Sequence, residues 1–369
     1  VGNSDWTISA FGVATDGSLS SIGTYSAGSP AISPKAVAIN PVYPYLYATN
    51  DGDSSPTITA FKINNGGSLS FVSAYSSSSQ MYLPLKMAFS PDRNYLFVVD
   101  QQTSGSNSTG AVTVFSVNPS TGALTYKSLV STGNSFGYDI AMHPNGNYLY
   151  TSNPYSYAIT EFSVSSGTLT KQKTFASFPY CSTSSDTHGP YGLAVSPDGN
   201  YLYAESTYGV VFSFDISGGT FTNYKSASGA GVAFSTDLTL SPNGKFIYVG
   251  EVARVNYAYA CSSGSFSTIG NYSAGIAMAV SSDSKYLYGA NDAGKCVSAF
   301  AISSTDGSLS ALATSSYSLG TTTPSRSSST RPDPGGGRGP RGRATVPEPG
   351  DALLILRRII VNMLNCKYA

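Results

Sequence analysis

The chain of 369 residues is poor in charge, histidine, cysteine and tryptophan, with 11% charged residues, 2 His, 4 Cys and 1 Trp. An ordinary soluble domain carries roughly 25% charged residues, so little of this chain is given to ionic surface. Cys181, Cys261, Cys296 and Cys366 lie far apart with no Cys-x-x-Cys, which excludes a zinc-type cluster and leaves any pairing open. No metal and no cofactor is expected. No Ser sits in a Gly-x-Ser-x-Gly elbow, so that route to nucleophilic catalysis is absent. No apolar run reaches the ~18–20 residues of a spanning helix, so no membrane span is expected. Arginine is scarcest where it would matter for anions: only Arg93 and Arg254 fall in the first 320 residues. With a formal net charge of zero, a nucleic-acid surface is excluded and a phosphorylated ligand is disfavoured.

The zero is a sum of unlike parts. Residues 1–320 carry 12 Lys+Arg and 17 Asp+Glu, net −5, whereas 321–369 carry 8 and 3, net +5. Of the 27 tyrosines, only Tyr368 lies beyond Gly320. The run from Thr330 to Pro349 is too rich in Pro and Gly to pack. The organisation read from this step is a globular region over 1–320 and a Gly/Pro/Arg-rich tail over 321–369, disordered or out of frame.

What the chain has in plenty is repetition. One unit recurs six times, as in 87–100 (MAFSPDRNYLFVVD), 140–153 (IAMHPNGNYLYTSN) and 193–206 (LAVSPDGNYLYAES). A second recurs seven times, as in 8–20 (ISAFGVATDGSLS), 57–70 (TITAFKINNGGSLS) and 297–310 (VSAFAISSTDGSLS). Each unit reads as a hairpin: alternating apolar and small residues, a turn built on Pro, Asp/Asn and Gly, then a Tyr-Leu-Tyr or equivalent return arm. Two hairpins per repeat give four strands, the pattern of a propeller blade. The expected fold is all-β, a seven-bladed β-propeller with an incomplete or aberrant last blade and a disordered C-terminal tail. Six inner hairpins against seven outer ones leave the first outer hairpin, near Ile8–Ser20, without an inner partner. The expectation is that the missing hairpin belongs after Gly320, where a divergent or out-of-frame tail stands instead, exposing a strand edge.

The pairing of SPDGNYLYA with VTVFSVNPSTGALT-type hairpins resembles the seven-bladed lactonase propellers, a family that includes 6-phosphogluconolactonase-like proteins and fungal carboxymuconate-cyclising enzymes. It is also similar to YVTN-type surface-layer propellers. The resemblance spans residue 8 to about 320. It implies a site at one mouth of the central channel that opens or closes small lactones, without a metal in the best-studied branch. At the family's rim His and Arg this chain has Tyr138 and Tyr191, and at its Glu position Thr207, with Glu205 two residues earlier. His188-Gly-Pro keeps part of the family's Gly-Pro-Arg-His stretch.

Counting back six and five residues from each turn proline picks out the channel rim, including Lys35, Lys86, Tyr138, Asp139, Tyr191 and Asp237. The ends of the second strands add Asn50, Asp100, Asn153, Glu205 and Glu251, with Arg254 in the next loop. The expected catalytic set is His188, Glu251, Arg254 and Glu205; the expected substrate-binding set is Lys86, Tyr138, Asp139, Tyr191 and Asp237. His188 reads as a proton-exchanging base or as a solvated loop residue. Arg254 reads as an oxyanion or carboxylate holder, or as an ion pair with Glu251. The carboxylates read as water-activating groups or as caps on loop backbone. The Tyr-Leu-Tyr arms read as packing between blades, and His143, in a turn, as structural. The functional expectation is hydrolysis of a small, unphosphorylated sugar lactone by a carboxylic-ester hydrolase. The competing one is a non-catalytic propeller binding a glycan, small molecule or protein. A monomer at the cell surface, in the periplasm or outside the cell is expected from low charge and abundant Ser, Thr, Gly and Tyr. Starting at Val1, the sequence reads as a mature form, a fragment or an incomplete product.

Overall fold

A computed structural model describes residues 1–3, 7–27, 33–40, 42–51, 57–76, 81–103, 109–176, 189–206, 210–218, 220–227, 235–251, 255–291 and 295–319. The chain begins with a two-stranded sheet, β1 (Thr7–Val13) and β2 (Leu19–Ser26). Blade one follows as β3 (Ser33–Ile39), β4 (Tyr45–Asp51), β5 (Thr57–Ile63) and β6 (Leu69–Tyr75). Blade two is β7 (Met81–Phe89), β8 (Tyr95–Thr103), β9 (Thr109–Val117) and β10 (Leu124–Ser135). Blade three is β11 (Ile140–Met142), β12 (Tyr148–Asn153), β13 (Ala158–Ser165) and β14 (Thr168–Phe175). Blade four is β15 (Pro190–Val195), β16 (Tyr201–Ser206), β17 (Val211–Ser217) and β18 (Thr220–Ala227). Blade five is β19 (Ser235–Leu240), β20 (Phe246–Glu251), β21 (Asn256–Ser262) and β22 (Ser265–Tyr272). Blade six is β23 (Ala277–Val280), β24 (Tyr286–Asn291), β25 (Cys296–Ile302) and β26 (Leu309–Ser318).

Every blade is an antiparallel meander in sequence order, and the first strands of successive blades, β3, β7, β11, β15, β19 and β23, pack against one another around the centre. The all-β propeller is as read from the repeats, but the described residues hold six four-stranded blades, not seven. The reason is in the repeats: six inner hairpins can complete six blades, and the seventh outer hairpin, β1–β2, stays two-stranded. The tail expected to be disordered, 321–369, lies outside the described residues.

The inner turns hold by the chemistry read from their sequence. Ser90 Oγ accepts the Tyr95 N–H at 3.0 Å and Asp92 Oδ1 the Asn94 N–H at 3.1 Å; Ser196, Asp198, Asn200 and Tyr201 repeat the pattern. Gly146 and Gly199 supply the positive φ (77° and 76°) that this turn needs, while Arg93 adopts it at 62° without that freedom. His143 takes the Ser place: its Nδ1 accepts the Asn145 N–H at 3.1 Å and its Nε2–H donates to the Gly199 carbonyl of the next blade at 3.0 Å. It is a structural histidine.

Apolar layers fill the space between blades. Tyr45, Tyr47, Ile58 and Ala60 of blade one pack on Leu96, Val98, Phe115 and Leu124 of blade two. Phe97, Phe115, Phe162 and Phe212 are sealed from solvent, each contributing ~1.5–3 kcal/mol by burial. In blades one, five and six a tyrosine of the return arm ties the blade to the outer turn beyond it. Tyr47 Oη donates to the Gly122 carbonyl, Tyr248 Oη to Gly307 and Tyr288 Oη to Gly17, each at 2.9 Å. By the last of these, the β1–β2 sheet stands beyond blade six as blade two stands beyond blade one. On its other side Ile8 and Ala27 join the blade-one layer of Val37, Leu46 and Phe61. The two-stranded sheet therefore closes the ring.

Candidate functional site

The channel-facing residues come from one position in the repeat. Five residues before the turn proline, or its Ser282 counterpart, stand Ala36, Lys86, Asp139, Gly192, Asp237 and Ala277. At this point β3, β7, β15 and β19 each carry one residue more than the strand they pair with, as in the step from Pro84 to Met87 against Asp100 to Val98. Such a bulge breaks the pairing and re-aims a side chain. It is what frees Lys86 from the ladder.

Lys86 reaches out of blade two to Asp139 of blade three, Nζ to Oδ1 2.9 Å, and to Asp237 of blade five, 3.6 Å. Blade four, between those two, contributes Gly192 and so brings no side chain into the gap. The second oxygen of each aspartate is a staple to the neighbouring blade: Asp139 Oδ2 accepts the Leu193 N–H at 2.6 Å and Asp237 Oδ2 the Met278 N–H at 2.8 Å. Both aspartates are buried, at 2% and 5% exposure. Burial pushes their carboxyls up, against the pull of the Lys86 ammonium; Asp237, with Asp139 as a further negative neighbour, reaches about 6. The cluster thus holds a fixed cation beside a carboxyl that exchanges its proton near neutrality.

One residue earlier in the repeat, Tyr138 and Tyr191 pack edge-to-face with ring centroids 4.7 Å apart, against Leu85 of blade two. Both are buried. Burial first, then the charges of Glu205, Asp139 and Asp237, push the Tyr138 phenol well above its ordinary value. Glu205 is fully buried near the end of β16. Lys35, which takes the place of Tyr138 and Tyr191 in blade one, is also buried.

Of the expected residues, the structure brings together Lys86, Asp139, Asp237, Tyr138 and Tyr191, with the charge of Glu205 acting on the same group. His188 and Arg254 lie outside the described residues, and of Glu251 only the main chain is described. The strand-end residues split from this set. Asn50 Nδ2 donates to Thr59 Oγ1 at 2.7 Å, Thr113 Oγ1 donates to Asp100, and Thr160 Oγ1 donates to Asn153 Oδ1 at 3.1 Å. These side chains point along the blade to its third strand and serve as a girdle, not as a rim. Sequence reasoning missed that role, although a Thr recurs at one register position of β5, β9 and β13. Cys261 and Cys296 are both free thiols; burial pushes Cys261 up to about 12. Cys181 and Cys366 lie outside the described residues. Among those described, no helix is long and apolar enough to cross a membrane.

A propeller whose inner strands bring a lysine from one blade against carboxyls from two others defines a class: a β-propeller with a charged cluster among its innermost strands. The sequence profile described as "Lactonase, 7-bladed beta-propeller" matches residues 2–137 and 138–256. The chain belongs to the lactonase β-propeller family. Among curated proteins no relative matches it. Solved structures share the fold. The periplasmic gluconolactonase of Pseudomonas aeruginosa is 20% identical, with 88% of this chain and 96% of that one covered and a TM-score of 0.69. A candidate 6-phosphogluconolactonase of Bacteroides fragilis is 17% identical, with 85% and 96% covered and a TM-score of 0.66.

Proposed function

We propose that this chain hydrolyses a small, unphosphorylated lactone in its central channel, with Lys86 and Asp237 as the reacting pair. The observation that carries this is the Lys86 ammonium held 2.9 Å from Asp139 and 3.6 Å from Asp237, whose carboxyl sits at about 6. Above that pH Asp237 accepts the proton of an attacking water as its oxygen bonds to the lactone carbonyl carbon. Lys86 donates a hydrogen bond to the carbonyl oxygen as it becomes an oxyanion. Collapse breaks the ring C–O bond, and the proton on Asp237 passes to the leaving alkoxide, giving a hydroxy acid. Asp139 fixes Lys86 in place. The product carboxylate meets Asp139, Asp237 and Glu205, which favour its departure.

The same charges support an unphosphorylated substrate, since a phosphate brings about −1.5 to −2 charges toward a cation already shared by two carboxylates. His188, Arg254 and Glu251 belong to this reading as further catalytic candidates. Low charge, and a structural neighbour that is periplasmic, support an exported protein. The test is pH-stat hydrolysis of five- and six-membered sugar lactones and of a 6-phosphorylated one by the full chain. We expect turnover of the unphosphorylated rings with an acid limb near pH 6, and a ~10²-fold or greater loss in Asp237→Asn and in Lys86→Met. No turnover above the uncatalysed rate sinks the proposal. Preference for the phosphorylated ring sinks the substrate class, and loss confined to His188→Ala or Glu251→Gln moves the site away from Lys86 and Asp237.

A further inference from the structure

Blade three carries a second aromatic pair at the end where Tyr138 stands. Phe136, in the connection from β10 to β11, and Tyr155, in the short turn Pro154–Ser156 after β12, lie with ring centroids 4.6 Å apart and planes at 45°. The Ser135 N–H donates to Ser156 Oγ at 2.8 Å and Asn153 Nδ2 to the Phe136 carbonyl at 3.3 Å, so the two segments are tied together. The Gly189 N–H donates to the Pro154 carbonyl at 2.9 Å, which fixes the turn to the residue just ahead of β15, the strand that carries Tyr191. Burial first, then Glu205, Asp139, Asp237 and Tyr155, push the Tyr138 phenol up. The second aromatic pair and the charged cluster therefore bear on one group.

The backbone is strained where it presents these rings. Phe136 has a φ of 50° and Tyr157, which ends the turn, 51°, a region where glycine is at ease and a larger residue is not. Leu83, like Phe136 eight residues before its turn proline, repeats the strain at 52°. Such strain collects at ligand sites, where the surrounding contacts hold it. Phe136 is half-buried and Tyr155 is 37% exposed, so the pair keeps aromatic surface open to solvent. Residues 131–137 and 153–157 consist of Ser, Thr, Asn, Gly, Pro, Tyr and Phe and carry no charge. The face of an aromatic ring is negative and attracts C–H groups. It suits the C–H face of a pyranose, whose rim of hydroxyls suits the neighbouring hydroxyl and amide groups.

We propose that Phe136 and Tyr155 form a stacking subsite for an uncharged pyranose linked to the lactone, so that the substrate is a disaccharide or longer sugar lactone. The inference rests on the lactone-hydrolase reading for the ring that opens, and on the aromatic pair alone for the ring that stacks. Lys86 and Asp237 act on one end of such a molecule while Phe136 and Tyr155 hold the other. Stacking of a remote unit is felt equally in the ground and transition states, so it lowers KM and leaves kcat.

The test compares hydrolysis of glucono-δ-lactone and of its 4-O-β-glucosyl derivative by the full chain, and adds calorimetry with 4-O-β-glucosyl-glucitol, which has no lactone to open. We expect a KM for the glucosylated lactone at least ~10-fold below that of the single ring, and measurable binding of the alditol. Tyr155→Ala should abolish both the preference and the binding. Phe136→Gly, which removes the ring while relieving the backbone, should do the same in a folded protein, and Tyr155→Trp should keep both. Equal KM values for the two lactones overturn the inference and leave the hydrolase reading standing. Binding of the alditol that Tyr155→Ala abolishes, without turnover of either lactone, sinks the hydrolase reading and leaves the subsite. No binding of the alditol overturns the subsite whatever the turnover, and a preference for δ-dodecalactone over the glucosylated ring overturns the choice of a sugar.

Discussion

Replacing Lys86 by Met keeps the reach of the side chain and deletes the charge that two buried carboxyls share. Asp139 and Asp237, at 2% and 5% exposure, then lose that charge and keep their backbone staples to the neighbouring blade. Removing one partner of a buried ion pair costs about 3–5 kcal/mol when the remaining charge stays ionised. The carboxyls limit that loss by taking up protons. Burial already pushes Asp237 to about 6 with the ammonium present, and without it both carboxyls move further up. A carboxyl raised in the folded state above its unfolded value contributes most at low pH. Its contribution falls as pH rises from about 3.9 through the folded value, by ~1.4 kcal/mol per pH unit per group. Lys86→Met should therefore cost ~3–5 kcal/mol at pH 8 and little near pH 4, where the parent also carries a protonated Asp237. At ~2–4 °C per kcal/mol, the midpoint should fall by at least ~6 °C at pH 8. Thermal melts followed by circular dichroism from pH 4 to 8 measure this, with Lys86→Arg as the charge-keeping control. A loss equal at both ends of the range refutes the reasoning, because cavity or packing damage has no reason to follow carboxyl titration.

Three further outcomes follow from the framework. Asp100 is fully buried and its carboxyl is pushed well up by burial, against hydrogen bonding from Thr113, so its stability contribution is lost as pH rises above about 3.9. Asp100→Asn, which copies Asn50 and Asn153 of the adjacent blades, should raise stability at pH 8 by ~1 kcal/mol or more and have little effect at pH 4, as read by urea unfolding. Tyr288→Phe removes the hydrogen bond to the Gly17 carbonyl that ties blade six to the β1–β2 sheet and should cost ~1 kcal/mol in the same assay, matching Tyr248→Phe; no cost would mean the sheet is not docked there. Gly289→Ala places a Cβ 1.9 Å from the Ala274 carbonyl oxygen, a main-chain clash that should cost more than ~3 kcal/mol, against which a fully stable variant would count.

The framework was legible because each of its rules is local and repeated. Ser-Pro-Asp-Gly specifies its turn by bonds within five residues, and the aromatic return arms, Tyr-Leu-Tyr in four of six copies, pack between the blades. Even the incomplete blade could be counted from six inner hairpins against seven outer ones. The pairing of Val1-Gly2-Asn3 with β1 could not be read, because three residues are too few to be recognised as a strand until their bonds to Thr7 and Ser9 are seen.

The site was legible in a different way. A repeat aligned to itself separates what every blade needs from what only some blades have. Lys86, Asp139 and Asp237 stand out because Ala or Gly fills their position elsewhere. Counting back from the turn found that position, since the turn fixes the register of everything after it. Direction along the strand is another matter. The bulges beside Lys86 and Asp237 turn side chains into the channel that plain alternation would set differently, and no residue type in β7 or β19 announces them. At the ends of the second strands no such bulge intervenes in blades one to three, so Asn50, Asp100 and Asn153 keep the ladder and face a hydroxyl on the third strand. Two sets of polar residues near one rim thus part into a channel site and a girdle. In blade two the parting of Lys86 from Asp100 goes with one extra residue in the inner strand, which is where an engineered gain or loss of this site should begin.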